Sequence, residues 1–358
     1  MIAGRDNPAG LPVLAAGPSH PGRRRPMAAD SFAIFRQSVF RFGQCSQCRR
    51  PPEPAFASKR SNHCCEAHMR PENLKTRIFL DGADPLETRA VMTALGFLDG
   101  QTTNPSLLAK NPEAQGHKVA GNKFSRATIY DFYKTLCQDL SALLPKGSIS
   151  IEVYADATTT VASMLEQARS FDTWIDNAHI KLPTTAAGLE AAGVLIGEGR
   201  RVNMTLVFSQ SQAAAVYAAT RGAARGSVFL SPFIGRLDDR GENGMDLIKN
   251  VLGMYAPSDG HVEVLTASVR GLEHFLCALA LGSDIITAPA KVLLDWAKAG
   301  KPVPAADYPY QPAGLAPIPA VTLALDKPWQ DYPIDHPLTD SGLAKFAADW
   351  NSLIDMDS

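Results

Sequence analysis

Lys181 closes the apolar run "NAHIKLP" two residues before Pro183, so the run reads as a buried strand with an amine near its end. A buried lysine is costly unless its charge is paired or its proton is lost. At its ordinary pKa of about 10.4 the amine is protonated and inert, and partial burial beside apolar strands is expected to lower that value and free the nucleophile. A free amine attacks a carbonyl and forms a Schiff base, an electron sink for breaking a carbon–carbon bond. A carboxylate must then take the proton of the leaving hydroxyl and later return it. Asp81, at the end of "RIFLDG", is the natural candidate. Arg236 and Arg270, in "IGRLDD" and "SVRG", suit bidentate binding of a phosphate at the far end of a sugar.

Taken singly, each residue has an ordinary role. Asp81 or Thr103 could cap a helix, Arg236 beside "LDD" could form a surface ion pair, and Lys181 could reach to a rim. What argues otherwise is where the elements put them together. From Arg77 onward eight strand patterns alternate with helix patterns: "RIFLDG" (77–82), "FLDGQTTNPS" (97–106), "SISIEVYA" (148–155), "AHIKLP" (178–183), "RVNMTLVFS" (201–209), "SVFLSPF" (227–233), "HVEVLTASV" (261–269) and "DIITAPA" (284–290). Regular strand–helix alternation requires a parallel sheet, and eight units in this length fit a closed (β/α)8 TIM barrel. No G-x-G-x-x-G follows the first strand, against a dinucleotide fold. In a barrel the carboxyl ends of the strands meet at one mouth. Those ends carry Asp81; Thr102, Thr103 and Asn104; Glu152; Lys181; Asn203 and Thr205; Ser231 and Arg236; and Ser268 and Arg270, with nothing read from the eighth strand.

Three segments flank or follow this barrel of residues 76–299. Residues 1–75 are rich in Arg and Pro, with a net charge of about +7, and read as a largely disordered extension. A targeting leader, a small metal knuckle (Cys45 and Cys48, then His63, Cys64, Cys65 and His68) and translation from an over-early start compete there. The reading preferred is that the working protein begins near Met69 and holds no metal. Residues 300–335 form a Pro-rich insert, read as an irregular surface excursion. Residues 336–358 end the chain in an amphipathic helix capped near Thr339 or Asp340. A net charge of −1 calls for neither nucleic acid nor membrane. No run approaches the roughly 20 apolar residues of a membrane span. Without a signal-peptide core, the six cysteines point to a cytoplasmic location. No cofactor is expected, and a homo-oligomer is left open.

The motifs "FLDGAD", "TTNPSLL", "IEV", "IKLPTT", "NMTLVFSQSQA", "SPFIGRLDD", "ASVRG" and "HPLTDSGLAKFAADW" closely resemble those of the transaldolase family, Schiff-base enzymes of the class I aldolase type. They recur in order from about residue 77 to 299 and again from 336, and neither the basic leader nor the Pro-rich insert interrupts one. The resemblance implies that Lys181 forms the Schiff base and Asp81 is the acid–base group, with Glu152 and Thr205 holding a proton-relaying water. It implies that Asn104, Asn203 and Ser231 bind substrate hydroxyls and that Arg236 and Arg270 take the phosphate, with Thr103, Phe233 and Ser268 completing the substrate set. The reaction implied passes a dihydroxyacetone unit from sedoheptulose 7-phosphate or fructose 6-phosphate to an aldose phosphate, in the pentose phosphate pathway. Two other readings are a fructose-6-phosphate aldolase, which releases free dihydroxyacetone, and a non-catalytic sugar-phosphate-binding barrel. Glu152, and Phe233 where such aldolases typically carry tyrosine, favour the transferase. A barrel without catalysis would be expected to lack the lysine or the aspartate, and both are present.

Overall fold

A computed structural model describes residues 69–312 and 314–355. The expectations for the first 68 residues, including disorder, the leader, the knuckle and its metal, lie outside the described residues. Among the described residues no helix is long and apolar enough to cross a membrane.

Eight parallel strands close into a barrel in chain order: β1 (Arg77–Asp81), β2 (Gly100–Thr102), β3 (Ser148–Glu152), β4 (Ala178–Pro183), β5 (Val202–Val207), β6 (Val228–Pro232), β7 (Val262–Thr266) and β8 (Ile285–Ala288). β1 pairs with β8 to complete the ring, Arg77 lying opposite Ile285. The strands have apolar outer faces, such as Ile78 and Leu80 or Ile149 and Ile151, because the helices cover them. Lower in the barrel, Phe79 and Phe229 meet edge to face with ring centres 6.0 Å apart, and His179 stacks on Phe229. This apolar plug gives the polar layer above it a floor.

Helices begin where short polar side chains satisfy their first N–H groups. Asp84 caps Pro85–Leu95, Ser125 and Thr128 form a capping box at Arg126–Leu143, and Thr160, Thr185 and Ser209 cap the helices that follow β3, β4 and β5. The last helix, Pro337–Asn351, is capped by His336, whose Nδ1 accepts from Leu338 N, and not by Thr339 or Asp340. Pro337 at the first helical position suits that earlier start, which leaves Thr339 free to turn inward. Two short helices, Pro105–Leu108 and Pro112–Val119, follow β2 where the sequence suggests only turns.

The segment between the barrel and the last helix holds one turn of 3-10 helix, Trp329–Asp331. It is tied to the helices beneath it by bonds to its backbone, including Gln210 Nε2 to Pro319 O and Asn250 Nδ2 to Ile318 O. The last helix packs on the Pro105–Leu108 helix and on β5, over the carboxyl ends of the strands.

Candidate active site

Strand register sets the site. Asp81 lies opposite Thr102, Glu152 opposite Lys181, and Lys181 opposite Asn203. Neighbouring strands in register put these side chains at one height inside the ring. Lys181 is 2% exposed. Its Nζ lies 2.9 Å from Glu152 Oε2 and donates to the Thr103 carbonyl at 3.0 Å. Asp81 accepts from Thr102 Oγ1 at 2.8 Å, and Thr102 in turn bonds Thr287 of β8 at 2.6 Å. Asn203 accepts from Ser231 Oγ at 2.6 Å and donates to Ser150 Oγ at 3.0 Å, so three strands share one hydrogen-bonded rail.

Burial pushes both carboxyls up. The pKa of Asp81 is raised by desolvation, against the opposing charges of Lys181 and Lys110 and the Thr102 hydroxyl. That of Glu152 is raised by the same cause, against Lys181 and Arg236. Carboxyls with raised pKa values hold a proton more readily than exposed ones, which suits an acid–base role. Two fully buried oxygens, Glu152 Oε2 and Thr205 Oγ1, have no protein hydrogen-bond partner, although the first lies against the Lys181 ammonium. Buried polar atoms are normally satisfied, so Thr205 Oγ1 invites a further partner, whereas Glu152 Oε2 is engaged by Lys181.

Above this layer opens a cavity of about 460 Å³. Asp81, Asn104, Lys181, Ser231, Phe233, Arg236, Ser268 and Arg270 line it. Glu152, Thr205 and Asn203 are buried and do not line it. Thr103 turns its hydroxyl out of the barrel to Tyr133 Oη, at 2.6 Å, and to the Ser150 carbonyl. What Thr103 offers the site is its own carbonyl, bonded to Lys181. Tyr133 Oη also accepts from Glu152 N at 3.0 Å, so one buried phenol positions both residues. Asn104 spends its side-chain oxygen on Leu107 N as a helix cap, leaving its amide nitrogen for the cavity.

The wall also holds residues that sequence reasoning passed over: Thr287, Lys110, Arg240, Lys345 and Phe346. Thr287 had a signal, being the polar residue near the end of an otherwise apolar run. Lys345 and Phe346 had none, because nothing local shows that the last helix lies over the mouth. With them the wall carries six cations (Lys110, Lys181, Arg236, Arg240, Arg270 and Lys345) against Asp81 and Asp239, which suits an anionic ligand. Arg270 is held by Asp239 at 2.6 Å, and the Arg236 guanidinium lies against the rings of both Phe233 and Phe346, 5.5 and 5.3 Å from their centres, while the two rings meet edge to face 6.5 Å apart. Burial, and the like charge of Arg270, lower the pKa of Arg236, with Glu152 opposing. The Phe233 ring centre is also 5.9 Å from Lys181 Nζ. Among the described residues no group of three or more His, Cys, Asp or Glu is placed to hold a metal ion.

Residues 78–356 match the family described as Transaldolase/Fructose-6-phosphate aldolase. A probable transaldolase of Dehalococcoides mccartyi is 36% identical over 277 residues, covering 77% of this chain and 99% of that one. A probable transaldolase of Brucella ovis is 37% identical over 274 residues, covering 76% and 96%. One of Sinorhizobium medicae is 35% identical over the same length, with the same coverage.

Proposed function

Because the chain belongs to the transaldolase/fructose-6-phosphate aldolase family, we propose that it is a transaldolase working through a Schiff base on Lys181. The observation that carries the reading is the buried Lys181 amine, 2.9 Å from Glu152 and facing a cavity walled by Arg236 and Arg270. The amine attacks C2 of a ketose phosphate, and the carbonyl oxygen leaves as water. Asp81 takes the proton from the C4 hydroxyl, the C3–C4 bond breaks, and the aldose phosphate departs. The three-carbon unit stays on Lys181 as an enamine. It then attacks the aldehyde of an acceptor aldose phosphate, Asp81 returns the proton, and hydrolysis frees the new ketose.

Glu152, beside the Lys181 amine, and Thr205, whose buried hydroxyl has no protein partner, are read as the seat of a water that moves protons to and from the nitrogen and the C2 oxygen. Asn104, Asn203, Ser231 and Ser268 are assigned to the sugar hydroxyls, and the arginines to the phosphate. Sedoheptulose 7-phosphate and fructose 6-phosphate are the donors proposed, and the pentose phosphate pathway is the route such a transfer would serve.

Two measurements test the reading. Incubation with fructose 6-phosphate and borohydride should add a reduced adduct to the peptide containing Lys181. Fructose 6-phosphate alone should yield little free dihydroxyacetone, with fast transfer once glyceraldehyde 3-phosphate is supplied. An adduct on another residue removes the mechanism. Release of dihydroxyacetone as fast as transfer replaces the transferase by an aldolase.

A further inference from the structure

Gly342 sits in the middle of the last helix, buried, where glycine is destabilising relative to alanine. A Cβ at this position would stand 2.5 Å from Arg236 Nη1 and 2.7 Å from Leu206 Cδ2. The helix is bolted down one turn earlier. Thr339 Oγ1 donates to the Leu206 carbonyl at 2.9 Å and accepts from Gln212 Nε2 at 2.8 Å. Leu206 has a φ of 59°, at the point where β5 slips register against β6, so its carbonyl is turned to meet the helix. One turn later, Phe346 presents its ring to the same guanidinium. Thr339, Gly342 and Phe346 therefore form one stripe at helical spacing.

The Arg236 guanidinium makes no hydrogen bond or close ion pair with the described residues. Two ring faces and a missing methyl group hold it, and its five donors stay available. We propose that Gly342 is a positioning residue for Arg236, and that through it the last helix sets how tightly the cavity grips a substrate phosphate. This rests on the transaldolase reading for the identity of the anion. The glycine is kept at a cost in helix stability because a Cβ would make the end of the guanidinium and the Leu206 methyl groups shift from the places they hold.

Gly342→Ala, Arg236→Ala and the double variant test this. Fructose 6-phosphate and fructose are titrated into each protein by calorimetry, with transfer assayed in parallel. Gly342→Ala should weaken fructose 6-phosphate about tenfold, the scale of one well-placed cation, and leave fructose unaffected. On the Arg236→Ala background the same change should do nothing further. Equal weakening of both sugars, or an undiminished effect without Arg236, overturns the proposal. Should Gly342→Ala fail to fold, Phe346→Leu, which removes the ring and adds no bulk, enters the same cycle with the same expectations. Binding of fructose 6-phosphate by the wild type without transfer overturns the transaldolase reading alone, whereas absence of binding overturns both.

Discussion

Glu152 and Lys181 face each other across β3 and β4, with their charged atoms 2.9 Å apart and both side chains almost wholly out of contact with solvent. Taking two charges out of water is expensive, and their attraction offsets that cost only while both are present. To attack a carbonyl, the amine must first release a proton. The carboxyl beside it, raised in pKa by burial, is the nearest group that can take one.

Lys181→Met should therefore abolish both turnover and the borohydride adduct, since no imine can form. It should also leave Glu152 buried without its partner. Lys181→Met and Glu152→Gln should each cost about 3–5 kcal/mol of stability, and the double variant should recover much of it. Urea midpoints decide the matter: a double variant whose loss equals the sum of the two single losses would mean that the pair is not coupled.

Asp81→Asn should divide activity from stability. The substitution removes the proton acceptor and should slow carbon–carbon cleavage by roughly 10²–10⁴-fold. Burial holds the folded-state pKa of Asp81 above its ordinary value. Such a group favours the folded state below its unfolded pKa of about 4, and that contribution is lost as pH rises through the folded pKa. The amide that replaces the carboxyl carries no charge to desolvate. The variant should thus unfold at higher urea than the wild type at pH 8, with the difference shrinking toward pH 4. A loss confined to KM would make Asp81 a binding residue instead.

Phe233→Tyr should shift the balance toward release. The phenyl ring lies beside the amine and has no hydroxyl to pass a proton to the bound enamine. A phenol there should raise the rate of free dihydroxyacetone formation relative to transfer, as read by a coupled assay without acceptor. An unchanged ratio would take Phe233 out of the choice between transferase and aldolase.

A chain beginning at Met69 should keep full activity and its urea midpoint, because every described strand and candidate residue lies beyond it. Arg70→Ala should not be neutral. Arg70 grips Asp99 at 2.7 Å, and Asp99 also accepts from Ile78 N at 2.8 Å, so the arginine steadies the start of β1. Both groups are about a quarter to a third exposed, which limits the loss to about 1 kcal/mol. Lost turnover in the shortened chain would give the first 68 residues a part in the site.

The barrel was legible because most of its strands are apolar runs of the right length and many of its helices start at a short polar cap. The polar residues at strand ends then had only one place to meet. What could not be read was the side to which an end residue points once its strand has finished. Thr102 and Thr103 look alike in "TTNPS", yet the first faces Asp81 and the second Tyr133, because successive side chains alternate. Nor could Leu206 announce its left-handed φ, since leucine carries no preference for it. That turn, with the glycine far along the chain that packs on it, comes from tertiary packing and leaves no local pattern.

The ring closes by joining the beginning of the barrel to its end, with Arg77 N bonded to the Asp284 carbonyl and Thr76 Oγ1 to that of Ser283. On the ribosome, β1 is made first and has β2 for company within a short stretch of synthesis. Its other edge must wait, bare, until β8 has been translated. An incomplete nascent barrel is an open parallel sheet with exposed backbone on both flanks, the form most prone to pair with another unfinished chain. The short length of β1 and β2, and the charge that Arg77 carries on β1, work against such pairing until the ring is shut.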